Sequence, residues 1–195
     1  MKKILLISTL LLIIGCINKT TEIRYYPTDN YVSTDNDEII LLDTTNLNFR
    51  EITNKLEDHY SNQSNLVVEF DDGSIKKRIL PRIYGNGYFK IKNALKIKTD
   101  SILIDDGYPI SELKQILKRH YTNSGKIPYY SESPYKASIE ITIDTSKTGK
   151  DLEQVLKTVT RTFDEIKIEI QDSIKLNIIF SYFRQIPPPP PPPKN

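Results

Sequence analysis

The sequence has one cysteine, one methionine and no tryptophan, and its charges nearly cancel: 27 Lys and Arg stand against 25 Asp and Glu, for a formal charge of +2. A single thiol excludes an intramolecular disulfide framework and any structural zinc site made of cysteines. The missing basic excess argues against a dedicated nucleic-acid binder. No nucleophile elbow, phosphate loop or zinc-protease helix motif occurs, and Gly85-Asn86-Gly87 is a bare turn rather than a nucleotide fingerprint. The sequence therefore assigns no catalytic residue, no metal ligand set and no cofactor. Apolar material is ample: 38% of the 195 residues are hydrophobic, which supplies a core for one ordinary domain or two small ones.

The N-terminus reads as an address. Lys2 and Lys3 precede a run from Ile4 to Ile14 that is apolar except for Ser8 and Thr9. That run is too short for a membrane helix, which needs about 20 residues, and its order of basic, apolar and small residues is that of a secretory signal peptide. It ends Gly15-Cys16, which resembles the bacterial lipobox. The resemblance implies residues 1–15 as signal peptide, cleavage after Gly15, and Cys16 as the acylated (palmitate-type) first residue of the mature chain. Each buried CH₂ contributes ~0.8 kcal/mol, so two or three acyl chains anchor stably where one does not. Loss of Lys2 and Lys3 brings the charge to zero, leaving no global field to steer a charged partner. Ile17, not Asp, follows the cysteine, which favours an outer-membrane, periplasm-facing location.

Residues 16–37 are rich in Thr, Asn, Asp and Tyr and lack periodicity, which predicts a tether. At the other end, Pro187 to Pro193 predict a polyproline II rod of roughly 20 Å within a tail spanning 183–195. The rod is either a ligand for an aromatic-lined groove or a solubilising end.

Between them, strands and helices alternate. Strands are expected at Glu38–Leu42, Leu66–Phe70, Ser74–Leu80, Ala94–Lys98, Ser101–Ile104, Ser138–Asp144, Ile166–Ile170 and Ile174–Phe180, with hairpin turns at Asp71-Asp72-Gly73 and Asp172-Ser173. Helices are expected at Phe49–Tyr60, at Ile110–Tyr121 with Ser111 as N-cap, and from Thr148 or Gly149 along a stripe of Leu152, Val155, Leu156, Val159 and Phe163. Glu51–Asn62 echoes Glu112–Asn123, with Glu, Leu, His, Tyr and Asn coinciding, which points to two βαβ-type halves, 38–92 and 93–182. The expected fold is α+β, a mixed sheet with helices on one face.

Ser101-Ile-Leu-Ile-Asp-Asp-Gly-Tyr-Pro-Ile-Ser-Glu-Leu-Lys-Gln-Ile-Leu, and the order strand, strand, helix, strand, helix, strand from Lys96 to Gln171, resemble the periplasmic domain of the ExbD/TolR biopolymer-transport family. The resemblance implies a periplasmic module that dimerises or docks on another envelope component through its sheet edge or helices. The family's acidic membrane helix has no counterpart here, so proton coupling is not expected, and no family functional residue transfers.

Two histidines, His59 and His120, occupy equivalent positions in the echo and are read as helix-end residues favoured by the helix dipole rather than as ligands. The acidic pairs Asp71-Asp72 and Asp105-Asp106 each precede glycine and read as turns, not as a calcium loop. Lys76-Lys77-Arg78 reads as a solvated face or guarded edge. Twelve tyrosines are present, and Tyr129, Tyr130 and Tyr135, in the loop from Gly125 to Lys136, are the candidate recognition surface. The functional expectation is a non-enzymatic envelope lipoprotein, held to the membrane by its N-terminal lipid. Its α+β domain docks another envelope protein, and a second copy of the chain is a further candidate partner. The alternative is a secreted or anchored small-ligand-binding or hydrolytic domain.

Overall fold

The computed structural model describes residues 22–28, 31, 34, 36–84, 89–170 and 173–182. The lipobox pair Gly15-Cys16, the turn Gly85-Asn86-Gly87, Asp172 and the proline tail lie outside the described residues. The fold is α+β. No described helix is long and apolar enough to cross a membrane.

The strands form two sheets rather than the single mixed sheet expected. The first contains β1 (Glu22–Tyr26), β2 (Glu38–Leu41), β3 (Leu66–Asp72) and β4 (Ile75–Ile79) in the order β1-β4-β3-β2. The second contains β5 (Ala94–Ile97), β6 (Ser101–Leu103), β7 (Tyr108–Pro109), β8 (Ser138–Ile141) and β9 (Asn177–Phe180) in the order β7-β6-β5-β8-β9. Pro81 accounts for part of the break, because it carries no N–H for a ladder. Past it, Arg82 donates to Ile178 O at 2.8 Å and accepts from Phe180 N at 2.9 Å, so the linker closes the outer edge of β9.

Three helices pack on these sheets: α1 (Phe49–Ser61), α2 (Leu113–Thr122) and α3 (Gly149–Ile170). β2 and β3 flank α1 and pair in parallel, and β5 and β8, on either side of α2, do the same. The echoed helices thus each sit inside a parallel crossover. One apolar core joins the two sheets, with Phe49 of α1 stacking edge-on to Phe180 of β9 at 5.7 Å and Tyr121 of α2 meeting Phe163 of α3 at 5.7 Å.

The N-termini of α1 and α3 lie side by side. Asn48 caps α1 in a reciprocal box with Glu51, and Thr148 and Asp151 exchange equivalent bonds at α3. The two caps are stitched by Phe49 N to Lys147 O at 2.7 Å and Gly149 N to Leu47 O at 3.1 Å. A Cβ at Gly149 would overlap the Thr45 methyl and stand 3.0 Å from the Leu42 carbonyl oxygen. Gly149→Ala is therefore expected to cost about 1–3 kcal/mol in urea unfolding, and adding Thr45→Ala is expected to return part of that loss.

Several expectations are corrected. The predicted tether 16–37 contains β1, whose five residues register one-to-one with Ile75–Ile79 of β4. Ile166–Ile170 is the last turn and a half of α3, not a strand, because Ile166 and Ile170 continue the helical stripe while Ile168 is 78% exposed. The hairpin expected before Ile174 thus lacks its first strand, and β9 runs parallel to β8. α2 starts through a 3₁₀ turn, Ile110–Glu112, and no side chain caps it, Ser111 included. Asp71 and Asp72 are strand residues, and the two-residue turn is Gly73-Ser74, with Gly73 at φ +68°.

Candidate functional site

β4 reads Ile75-Lys76-Lys77-Arg78-Ile79, and its alternation turns Lys77 inward with the two isoleucines. The strand is central, between β1 and β3, so of the two expected readings, solvated face or guarded edge, the edge is overturned, while Lys76 and Arg78 lie on a partly exposed face. Lys77 is 2% exposed. Its ammonium meets Asp72 Oδ2 at 2.9 Å, donates to Thr160 Oγ1 at 2.9 Å, and lies 3.5 Å from Asp164 Oδ2. Arg161 Nε donates to both Asp72 oxygens, at 3.0 and 3.1 Å. Bonds from Arg161, joined by those from Lys77, hold the Asp72 carboxyl down at about 2. Asp164 in turn accepts from Tyr26 OH at 2.9 Å and from Arg24 at 2.8 Å, and burial with the Asp164 charge pushes the Tyr26 phenol well above its usual range. These bonds seat α3 on β1, β3 and β4. On the opposite face, Lys76 and Arg78 bond Glu69 at 2.7 and 2.6 Å and, against the cost of burial, keep its carboxyl below the ordinary value.

β1 is an edge strand, and its outer side takes no strand partner among the described residues. Beside it runs a cleft of about 440 Å³ formed with α3, flanked by Ile23, Phe163, Lys167 and Ile168. Ile23 and Ile168 are both exposed. The cleft therefore sets an open strand edge beside apolar side chains and the charged Glu22, Arg24, Asp164 and Lys167.

The tyrosine loop is only partly the surface predicted. Tyr129 and Tyr135 are exposed, Tyr135 at 77%. Tyr130 is buried, with the Arg119 guanidinium 5.7 Å over its ring, and is removed from the recognition surface. Apolar contact holds it there, since its hydroxyl has no hydrogen-bond partner among the described residues. His120 explains the loop's position. Its ring is wholly buried, Nε2 lies 3.1 Å from Asn93 O, and Nδ1 accepts from Ser131 N at 3.3 Å. That pair of bonds defines a neutral ring with the proton on Nε2, and burial lowers its pKa to about 4. His120 does lie in the last turn of α2, as expected, but it acts there as a buried, neutral clasp on the loop. His59 stands apart from it, bonded to Glu38 at 2.8 Å and Ser64 at 2.7 Å. Asp105 and Asp106 lie in the turn before Gly107, where Asp105 has φ +49°. Among the described residues no three His, Cys, Asp or Glu are grouped to hold a metal ion.

Sequence reasoning missed the β1 edge and the Lys77 network. The signal for Lys77 was present, since flanking isoleucines two residues away on each side mark an inward position. Comparison of the chain with family models, curated proteins and solved structures finds no match.

Proposed function

We propose that this chain is a non-enzymatic cell-envelope lipoprotein, anchored through Cys16 and facing the periplasm from the outer membrane, whose α+β domain docks another envelope protein. The observation that carries the docking reading is the open edge of β1 in its cleft beside α3, where the exposed Ile23 and Ile168 flank it. Such an edge accepts an extended segment of a partner as an added strand: main-chain hydrogen bonds supply affinity and the flanking side chains supply selectivity. The basic, apolar and Gly15-Cys16 order supports the anchor. Anchoring raises the local concentration of the domain near a membrane-bound partner.

Two readouts test this. The intact mass of the membrane-extracted protein, beside a Cys16→Ala variant, is expected to show an acyl increment that the variant lacks; an unmodified soluble chain would sink the lipoprotein reading. Photo-crosslinking from position 168, with position 129 as control, is expected to join one defined envelope protein from 168 alone. Ile168→Asp is expected to lower that capture about tenfold with an unchanged melting temperature. Equal crosslinking from both positions, or a crosslink only to a second copy of the chain, would overturn docking of a different protein at this edge.

A further inference from the structure

A second cleft, of about 320 Å³, opens between Phe89–Lys90, the Glu132–Lys136 end of the tyrosine loop, and the first residues of β8 and β9. Its chemistry differs from that of the β1 edge. Asn93, only 5% exposed, lines it. The Asn93 Oδ1 already accepts from Glu132 N at 3.0 Å and lies 3.2 Å from Ser131 Oγ. The amide is thereby held in one orientation, and its Nδ2 has no acceptor among the described residues. Ser138, 7% exposed, lines the same cleft with a hydroxyl that has no partner among them either. Both side chains are largely enclosed, and both donors stand at the wall of an open space where an acceptor can reach them.

The charges around them have one sign in excess. Glu132 is bonded by Lys90 at 2.7 Å, Lys92 at 3.1 Å and Lys136 at 3.0 Å, three ammonium groups on one carboxylate. Arg82 also lines the cleft, and its side chain has no hydrogen-bond or ion-pair partner among the described residues. Three cationic residues, Arg82, Lys90 and Lys136, and the polar side chains of Asn93 and Ser138 thus line a space with a single carboxylate at its rim. We propose that this cleft binds an oxyanion, a carboxylate or a phosphate, carried by a small ligand. The Asn93 amide and Ser138 hydroxyl hydrogen-bond its oxygens, Arg82 supplies a charge-assisted fork, and the exposed rings of Tyr135 and Phe89 flank the rest of the molecule.

The test is an NMR titration of the full chain, reading the Asn93 side-chain amide, with inorganic phosphate, glucuronate and neutral glucose as probes. Phosphate or glucuronate is expected to shift that amide saturably, and the tighter of the two identifies the oxyanion's source. Arg82→Gln, an exposed side chain whose replacement leaves the backbone bonds to β9 intact, is expected to weaken binding about tenfold. Equal shifts with glucose, unchanged binding in the Arg82→Gln protein, or no saturable shift with either anion would each overturn the proposal.

Discussion

Asp72→Ala is expected to lower stability by about 3–5 kcal/mol, read as a drop of roughly 10 °C in melting temperature. The reason is what it leaves behind. Lys77 keeps only the Thr160 hydroxyl and a 3.5 Å contact to Asp164, with its ammonium still enclosed between the first sheet and α3. An enclosed charge without its nearest counter-ion is far more costly than a well-paired one is beneficial. Lys77→Met is the contrasting case. It removes the charge and keeps the apolar volume, while Asp72 retains Arg161 and Asp164 retains Tyr26 and Arg24. Its cost is expected to stay near 1 kcal/mol. Equal losses in the two variants would show that the network acts as packing rather than as charge compensation. The acid side of the same pair has a defined sign. Asp72 titrates at about 2 in the folded protein, below its ordinary 3.8, so its contribution is complete above that value and is lost as pH falls toward 2.

The second large effect lies at milder pH. His120 titrates near 4 when folded and near 6.5 when unfolded, so the unfolded chain binds the extra proton between those values. Stability is therefore full above pH 6.5 and falls as pH drops through this window, by about 3 kcal/mol in all. Backbone groups of Asn93, Ser131 and Ser138 face the ring; the Asn93 and Ser138 bonds favour the charged form, but burial outweighs them. Protonation at Nδ1 sets an N–H against the Ser131 N–H, so the loop from Gly125 to Ser131 loosens first. Amide exchange in that loop is expected to accelerate between pH 6 and 4 in the native protein, and urea midpoints are expected to fall in step. His120→Gln is expected to flatten both curves; an unchanged slope would remove His120 as their cause.

Long amphipathic segments were legible in the sequence and short or two-faced ones were not. Phe49, Ile52 and Leu56 declared α1, and the stripe from Leu152 to Phe163 declared α3, because helical spacing over three turns has few competing explanations. Ile166-Lys-Ile-Glu-Ile170 fits both periods, and only its continuity with the turn before it decides the matter. β8 shows the limit of alternation. Ile139, Ile141 and Ile143 are buried as expected, yet Glu140 is buried too, bonded by Tyr84 from the linker that covers the sheet's other face. Nothing near Glu140 in the chain announces a cover arriving from residue 84. β1 was illegible for a similar reason. Its five residues bury only Tyr26, and its order comes from β4 and from Asp164, 138 residues beyond Tyr26. Of the candidate site, the tyrosine loop could be named in advance, but which of its rings faced outward depended on His120 and Arg119 beneath it.

The position of β1 also sets how a lipid-held copy of this protein would move. Only five residues separate Cys16 from Glu22. Whatever their conformation, they reach no more than about 20 Å, whereas a domain of this size has a radius of gyration of about 15 Å and so is wider than its own leash. With acyl chains at Cys16, the domain rides against the bilayer and cannot turn end over end. Were Cys16 so anchored, the open edge of β1 would start within those five residues of the mooring point, and its search for a strand would be a planar one, confined to a layer about 20 Å deep. A freely diffusing peptide would gain nothing from that geometry; a neighbour rooted in the same membrane would meet the edge already at the right height.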